Sequence, residues 1–291
     1  MGGSESQSVG VSPWIDACRR MVDAQRELYS RTTGIDARTE YVGVGEGGDR
    51  TLAIDAEAEA IVFGELDALH RSGAEFTAIS EERGKVVFGA GESPTRVVID
   101  PIDGSLNARR TLPSFALSVA VASGPSMADV ELGYVWDFGA AEEFVAERGR
   151  GALLDGEPLL ARGPGYGLEL VGLEGTKPEL TLPLVEGLVG RAFRIRAVGS
   201  LALTLCYVAG GRLDGMLSGR STRSVDVAAA QLIAREAGAK VEFGELAHAE
   251  AGLDLGARYG ITAALDPEML ATLLEIQGES AAHHEPNPDR A

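Results

Sequence analysis

Apolar positions along the chain change period several times, and the changes divide it into elements. Trp14, Cys18, Met21, Val22, Leu28 and Tyr29 recur at helical spacing behind a Ser12–Pro13 start, with Gly34 just beyond, and predict a first helix. Residues 35–50 hold few apolar side chains and several glycines and read as a mobile loop. A second helix is predicted over about 53–72. Ile54, Ala58, Ile61, Val62, Leu66 and Leu69 form its stripe, Gly73 its stop, and Asp55 falls in its first turn. The pattern then shifts to strands. FTAIS (76–80) leads into Glu81 and Glu82, with a Gly84–Lys85 turn behind them. Val97, Val98 and Ile99 make a buried strand that Pro101 should end at Asp100. Residues 115–148 alternate as a meander, followed by a 149–159 hairpin around Asp155–Gly156.

Beyond ARGPGYG (161–167) the texture changes, and strand and helix patterns alternate. Strands are expected in LELVGLE, AFRIRAV, LDGML, AKVEF and ARYGITAAL. Helices are expected around 179–190, 200–209, 225–237 and 267–277, the last with Asp266 as cap and Pro267 at its first position. The expected fold class is α/β: an α+β N-terminal domain over 12–160 and a layered α/β C-terminal domain over 161–277. The Gly/Ser-rich residues 1–11 and the polar tail 278–291 are expected to be disordered.

Composition narrows the function. A net charge of −18 argues against a nucleic-acid binder, and the 45% hydrophobic, 24% charged composition is that of a globular protein. No basic-then-apolar leader and no run of membrane-span length occur, so a cytoplasmic protein is expected. Cys18 and Cys206 read as packed thiols. The four histidines lack paired zinc spacing. GVGEGG (43–48) fits a dinucleotide fingerprint but follows the polar Arg38–Thr39–Glu40 instead of an apolar strand. Cys206 to Arg212 matches a C-x5-R spacing, yet Cys206 ends an apolar helical run where no low-pKa thiolate is expected.

The chemistry concentrates in RVVIDPIDGSLNARR (96–110). Asp100 and Asp103 flank Pro101 at the end of a buried strand, and Gly104, Ser105 and Asn107 look like a helix entry with N–H groups suited to phosphate. Glu81 ends another strand and Asp226 opens the VDVAAAQLIAREAG helix. Carboxylates gathered at one cleft repel unless cations lie between them, so these four suggest a site for hard cations.

Four motifs carry a resemblance: TLAID (51–55), ISEE (79–82), DPIDGS (100–105) and SVDVAAAQLIAREAGAKV (224–241). In order and spacing they resemble the inositol monophosphatase superfamily of metal-dependent sugar phosphatases, over about residues 13–275. The VGSLALTLCYVAGGRLDG stretch and the VDVAAA form are similar to the dual inositol monophosphatase/fructose-1,6-bisphosphatase branch best known from archaea. The resemblance implies the sugar phosphatase fold, an α-β-α-β-α sandwich with the site between the halves, and a homodimer. It implies two or three Mg²⁺ ions, with Mn²⁺ as an alternative, on Glu81, Asp100, Asp103, Asp226 and the Ile102 carbonyl. Gly104 and Ser105 would hold phosphate through their N–H groups, and Asp55 and the Ser105 hydroxyl would orient the attacking water, with Glu81 counted among the catalytic residues. Asp103, Gly199, Ser200, Arg220 and Asp226 would complete the substrate contacts.

The expected activity is Mg²⁺-dependent hydrolysis of a small polyol or sugar phosphate, with inositol 1-phosphate and fructose 1,6-bisphosphate as leading substrates. Ser105 for threonine, Ala108 for an aromatic, Val225 for tryptophan, Ser218 for an acidic residue and the absence of lysine in 35–50 depart from common forms. They leave the metal core intact and the substrate open. Arg220 reads equally as a clamp for a second phosphate or as surface charge, whereas Arg223 reads as surface charge or a salt-bridge partner. Two other functions remain open: a 3′-phosphoadenosine 5′-phosphate phosphatase, against which Asn107 argues, and a non-catalytic regulatory protein of the same fold.

Overall fold

The computed structural model describes residues 12–39, 41–44, 50–175, 177–219 and 221–282. In α1 (Pro13–Arg31) the Ser12 hydroxyl accepts the Trp14 N–H, and Cys18, Met21, Val22 and Leu28 lie on the buried face. α2 (Ile35–Arg38), β1 (Tyr41–Val44) and β2 (Arg50–Leu52) follow, and the two strands pair antiparallel. The expectation of a loop over 35–50 is thus corrected. A polar side chain organises its start: the buried Arg38 guanidinium donates to the carbonyls of Tyr29, Thr32 and Ala108. α3 (Ala53–Arg71) then packs against α1.

Next come β3 (Phe76–Ser80), β4 (Gly84–Phe88), β5 (Arg96–Asp103), α4 (Ser105–Arg109), β6 (Ala116–Ala122), β7 (Val130–Asp137), β8 (Glu142–Glu147), β9 (Gly151–Leu154) and β10 (Glu157–Leu159). The strands form one sheet of order β10-β9-β8-β7-β6-β5-β3-β4, parallel only between β3 and β5. Two expectations change. Gly84 and Lys85 lie inside β4, so the turn is Glu81–Arg83. β5 does not stop at Asp100: it crosses Pro101 as a bulge, with Asp100 opposite Ser118 and Asp103 opposite Ala116. A bulge tolerates the missing proline N–H and re-aims the side chains beyond it.

The remaining elements are β11 (Leu170–Glu174), α5 (Pro178–Leu188), β12 (Arg194–Arg196), α6 (Leu201–Ala209), β13 (Gly215–Ser218), α7 (Ser224–Glu236), β14 (Lys240–Glu242), β15 (Thr262–Ala264) and α8 (Pro267–Ala282). A second sheet has the order β12-β11-β13-β15-β14, its first three strands parallel. α8 runs five residues past its expected end. Gln277 donates to the Ser218 carbonyl at 2.8 Å, and the Ser280 hydroxyl donates to the Ile276 carbonyl. Residues 1–11 and 283–291, expected to be disordered, lie outside the described residues.

α1 and α3 cover one face of the larger sheet. α6 and α7 fill the space between the sheets, and α5 and α8 cover the far face of the smaller one. The layering is α-β-α-β-α, the fold class expected. α7 is buried from Ser224 to Ala234, and small side chains let it sit there. A Cβ on Gly133 of β7 would come within 2.4 Å of the Ala229 carbonyl oxygen. This close fit fixes where Asp226, in the first turn of α7, enters the structure. Among the described residues no helix is long and apolar enough to cross a membrane.

Candidate active site

β3 and β5 run parallel with Ser80 opposite Ile99, so Glu81 and Asp100 emerge side by side at the strand ends. The N-terminus of α7 brings Asp226 to them. One carboxylate oxygen from each of Glu81, Asp100 and Asp226 lies within 4.8 Å of the other two. Asp100 accepts the Ile102 N–H at 2.9 Å. Burial raises the Asp100 pKa well above the carboxylate range, and repulsion from Glu81, Asp103 and Asp226 adds to it. Burial also raises that of Asp226, against the pull of Arg223.

Asp103 is not part of this cluster. The bulge re-aims it toward α6, where its Oδ2 accepts the Ser200 hydroxyl at 2.5 Å and the Ala202 N–H at 2.7 Å. Burial, then the charge of Asp226, push its pKa up to about 7 against those two donors. The neighbouring backbone is packed too closely for side chains. Gly104 has φ +91°, and a Cβ there would lie 2.8 Å from the Ser114 carbonyl oxygen. Gly199 has φ +78° and faces Asn107, whose amide donates to the carbonyls of Ser114 and Val198. Asn107 thereby ties the turn after β5 to the segment before α6.

Glu174, at the end of β11, fixes that segment from the other side. It accepts the Val198 N–H at 2.8 Å, the Gly199 N–H at 3.1 Å and the Thr204 hydroxyl at 2.8 Å. Gln25 of α1 donates to the Pro101 carbonyl at 2.9 Å. Neither residue stands out in the sequence. A carboxylate just before Gly175 and a glutamine on the apolar face of α1 were the available signals.

A cleft of about 410 Å³ opens over the cluster, lined by Asp55, Glu81, Asp100, Ile102 and Ser105 together with Arg109 and Arg223. Asp55 comes from the first turn of α3 and Ser105 from that of α4. Ser200, expected to contact substrate, is 2% exposed and its hydroxyl is spent on Asp103 and on capping Leu203. In the structure it holds Asp103 in place. Arg220 lies outside the described residues. Arg223 is a salt-bridge partner, but within the cleft and not on the surface: its Nη1 donates to Glu81 at 2.6 Å. Cys206 is fully buried, with its thiol pKa raised by burial, and Arg212 pairs with Glu142, so the C-x5-R match forms no site. Gly43 and Val44 belong to the β1–β2 ribbon, and residues 45–48 of the glycine-rich motif lie outside the described residues.

Comparison with known proteins agrees with this geometry. The profile of the inositol monophosphatase family matches residues 13–281. The chain is 34% identical over 263 residues to the fructose-1,6-bisphosphatase/inositol-1-monophosphatase of Thermococcus kodakarensis, covering 90% of this chain and 96% of that one. It is 30% identical over 271 residues to the protein of the same description from Methanothermobacter thermautotrophicus, covering 90% and 95%. A crystal structure of an inositol monophosphatase-fructose 1,6 bisphosphatase matches with a TM-score of 0.77 and 28% identity over 90% of this chain and 99% of that one. The chain belongs to the inositol monophosphatase family and is a phosphoric monoester hydrolase.

Proposed function

We propose that the protein hydrolyses the phosphate ester of a small polyol or sugar in a Mg²⁺-dependent reaction, with inositol 1-phosphate and fructose 1,6-bisphosphate as the substrates to test first. The observation that carries this reading is the meeting of Glu81, Asp100 and Asp226 within 4.8 Å beside Ser105 and Asp55. The donor set is oxygen only and mutually repulsive, with Asp100 and Asp226 buried, which fits a hard divalent cation. Glu81, Asp100 and Asp226, with Asp103 and the Ile102 carbonyl, would hold Mg²⁺, with Mn²⁺ as an alternative. Bound there, the metal would lower the pKa of the attacking water and neutralise phosphate charge.

The chain's own residues do the rest by position. The Gly104 and Ser105 N–H groups hold the phosphate, and Asp55 and the Ser105 hydroxyl orient the water. Gly199 borders the substrate side, while Ser200 and Ala202 fix Asp103. Arg109 lines the same cleft four residues beyond Ser105, which favours a substrate bearing a second anionic group. The passage from one sheet to the other between β10 and β11 supports a division into two domains near residue 161. The exposed Phe193 and Ile195 at the edge strand β12 support the homodimer expected from the family.

Phosphate release with Mg²⁺ from inositol 1-phosphate, fructose 1,6-bisphosphate and 3′-phosphoadenosine 5′-phosphate tests the reading. Release from one or both of the first two, abolished by EDTA, is expected. Release from the adenosine compound alone would transfer the assignment to it. No release from any would favour a regulatory binding protein.

A further inference from the structure

A cluster of three carboxylates needs an opposing charge, and the chain places one of its own among them. Arg223 precedes α7, and its backbone N–H donates to Asp226 Oδ2 at 3.0 Å. Its Nη1 lies 2.6 Å from Glu81 Oε1, and its Nε lies 3.5 Å from Asp226 Oδ1. One guanidinium thus spans two of the three carboxylates while lining the cleft. We infer that Arg223 is a resident counter-cation, which holds Glu81 and Asp226 together in the metal-free protein and yields to the divalent cation, so that it sets the affinity of the site for metal. The inference rests on the metal-dependent reading above.

Three observations support it. The oxygens that Arg223 occupies belong to two of the three carboxylates available to a cation, so a guanidinium and a metal compete for the same carboxylates. An arginine cannot relieve that conflict by losing its proton, because it stays charged at any working pH. It must move. The side chain already lines an open cleft, so a displaced guanidinium remains beside Ser105 and Arg109, where phosphate would meet it. The Arg223 charge also opposes the repulsion felt by Asp100.

The test uses EDTA-treated full-length protein, with Mg²⁺ affinity measured by titration calorimetry and melting temperature measured with and without Mg²⁺. Arg223→Gln should bind Mg²⁺ about tenfold or more tightly, because a positive charge leaves the neighbourhood of the cation. Its metal-free form should melt lower, so its Mg²⁺-induced shift should exceed that of the unmodified protein. A purely structural salt bridge predicts the opposite, a disturbed site that binds metal more weakly. In the unmodified protein, Mg²⁺ should also shift the Arg223 Nε–H resonance away from its ion-paired position, a readout that needs no variant. Equal or weaker Mg²⁺ binding by a folded Arg223→Gln, or an unmoved resonance on metal binding, overturns the inference and leaves the metal reading intact. If the unmodified protein takes up no divalent cation, both fall together.

Discussion

Two sets of carboxylates lie at and behind the cleft, and the chain treats them in opposite ways. Asp103 and Glu174 are supplied with donors: Ser200 and Ala202 serve the first, and Val198, Gly199 and Thr204 the second. Glu81, Asp100 and Asp226 are turned on one another, and Glu81 and Asp226 share one side chain, Arg223, between them. Asp100 receives one hydrogen bond among the described residues, from Ile102. A carboxylate surrounded by donors is fixed and can fix its neighbours. A carboxylate facing other carboxylates keeps lone pairs for a cation. Asp100 and Asp103 share one chemistry and sit three residues apart, and the bulge at Pro101 sends them into the two different environments.

The largest test separates these two. Asp100→Asn and Asp103→Asn should each lower phosphate release on the order of a thousandfold or more, since the proposed function places both at the metal and phosphate. Stability should split them. In EDTA, Asp100→Asn removes one of three repelling charges and should raise the melting temperature. Asp103→Ala leaves the buried Ser200 hydroxyl and Ala202 N–H without their shared acceptor and should cost about 1–3 kcal/mol. Melting shifts of the same sign in both variants would erase the distinction between the sets.

The carboxylates turned on one another, and Asp103 with them, were legible in the sequence because local signals mark them. Asp100 and Asp103 flank a proline, Glu81 ends an apolar run and Asp226 opens a helix. The layered fold was legible too, from the periodicity of α1, α3 and the meander. The donor network around Asp103 and Glu174 was not, because its bonds join residues far apart in the chain. Glu174 meets Val198, Asp103 meets Ser200, and Arg38 meets Ala108, and no local pattern announces such pairs. The continuation of β5 through Pro101 depends on its register with β6, which only the assembled sheet supplies. Low apolar content made residues 35–50 read as a loop, whereas a buried guanidinium orders their start.

Glu59 sharpens the comparison because it stands between the two sets. One of its oxygens accepts the Ser80 hydroxyl at 2.6 Å, and the other finds no hydrogen-bond partner among the described residues. Burial pushes its pKa from the usual 4.5 up to about 7, against Ser80 and Arg83 and with help from Glu82. The folded state therefore keeps a proton that the unfolded state has lost. Stability from this group falls as pH rises from about 4.5 to about 7, and stays at its lower level above that. Glu59→Gln keeps an acceptor for Ser80 and cannot ionise. Denaturant unfolding in EDTA should find the variant more stable at pH 8, by up to ~3 kcal/mol, with the gap closing toward pH 4.5. A gap independent of pH would mean that Glu59 carries no ionisation penalty.

The smallest effect probes the donor-rich set at its far end. Glu174 does not line the cleft, yet three elements converge on it. It holds the Val198 and Gly199 N–H groups, Asn107 holds the Val198 carbonyl, and the next residue, Ser200, donates to Asp103. In Glu174→Gln one oxygen can still serve Val198 and Thr204, while the new amide faces the Gly199 N–H and repels it. The segment should loosen there, one residue before the hydroxyl that orients Asp103. A loss of one such hydrogen bond is worth about 1 kcal/mol, so kcat should fall about tenfold or less while KM changes little, because the defect acts through Asp103 and not through uniform substrate binding. Glu174→Asp should fall further, since a shorter side chain cannot reach both N–H groups and Thr204. Wild-type kcat in both variants would show that Asn107 and Ser200 position Asp103 unaided, and would confine Glu174 to holding β11 against α6.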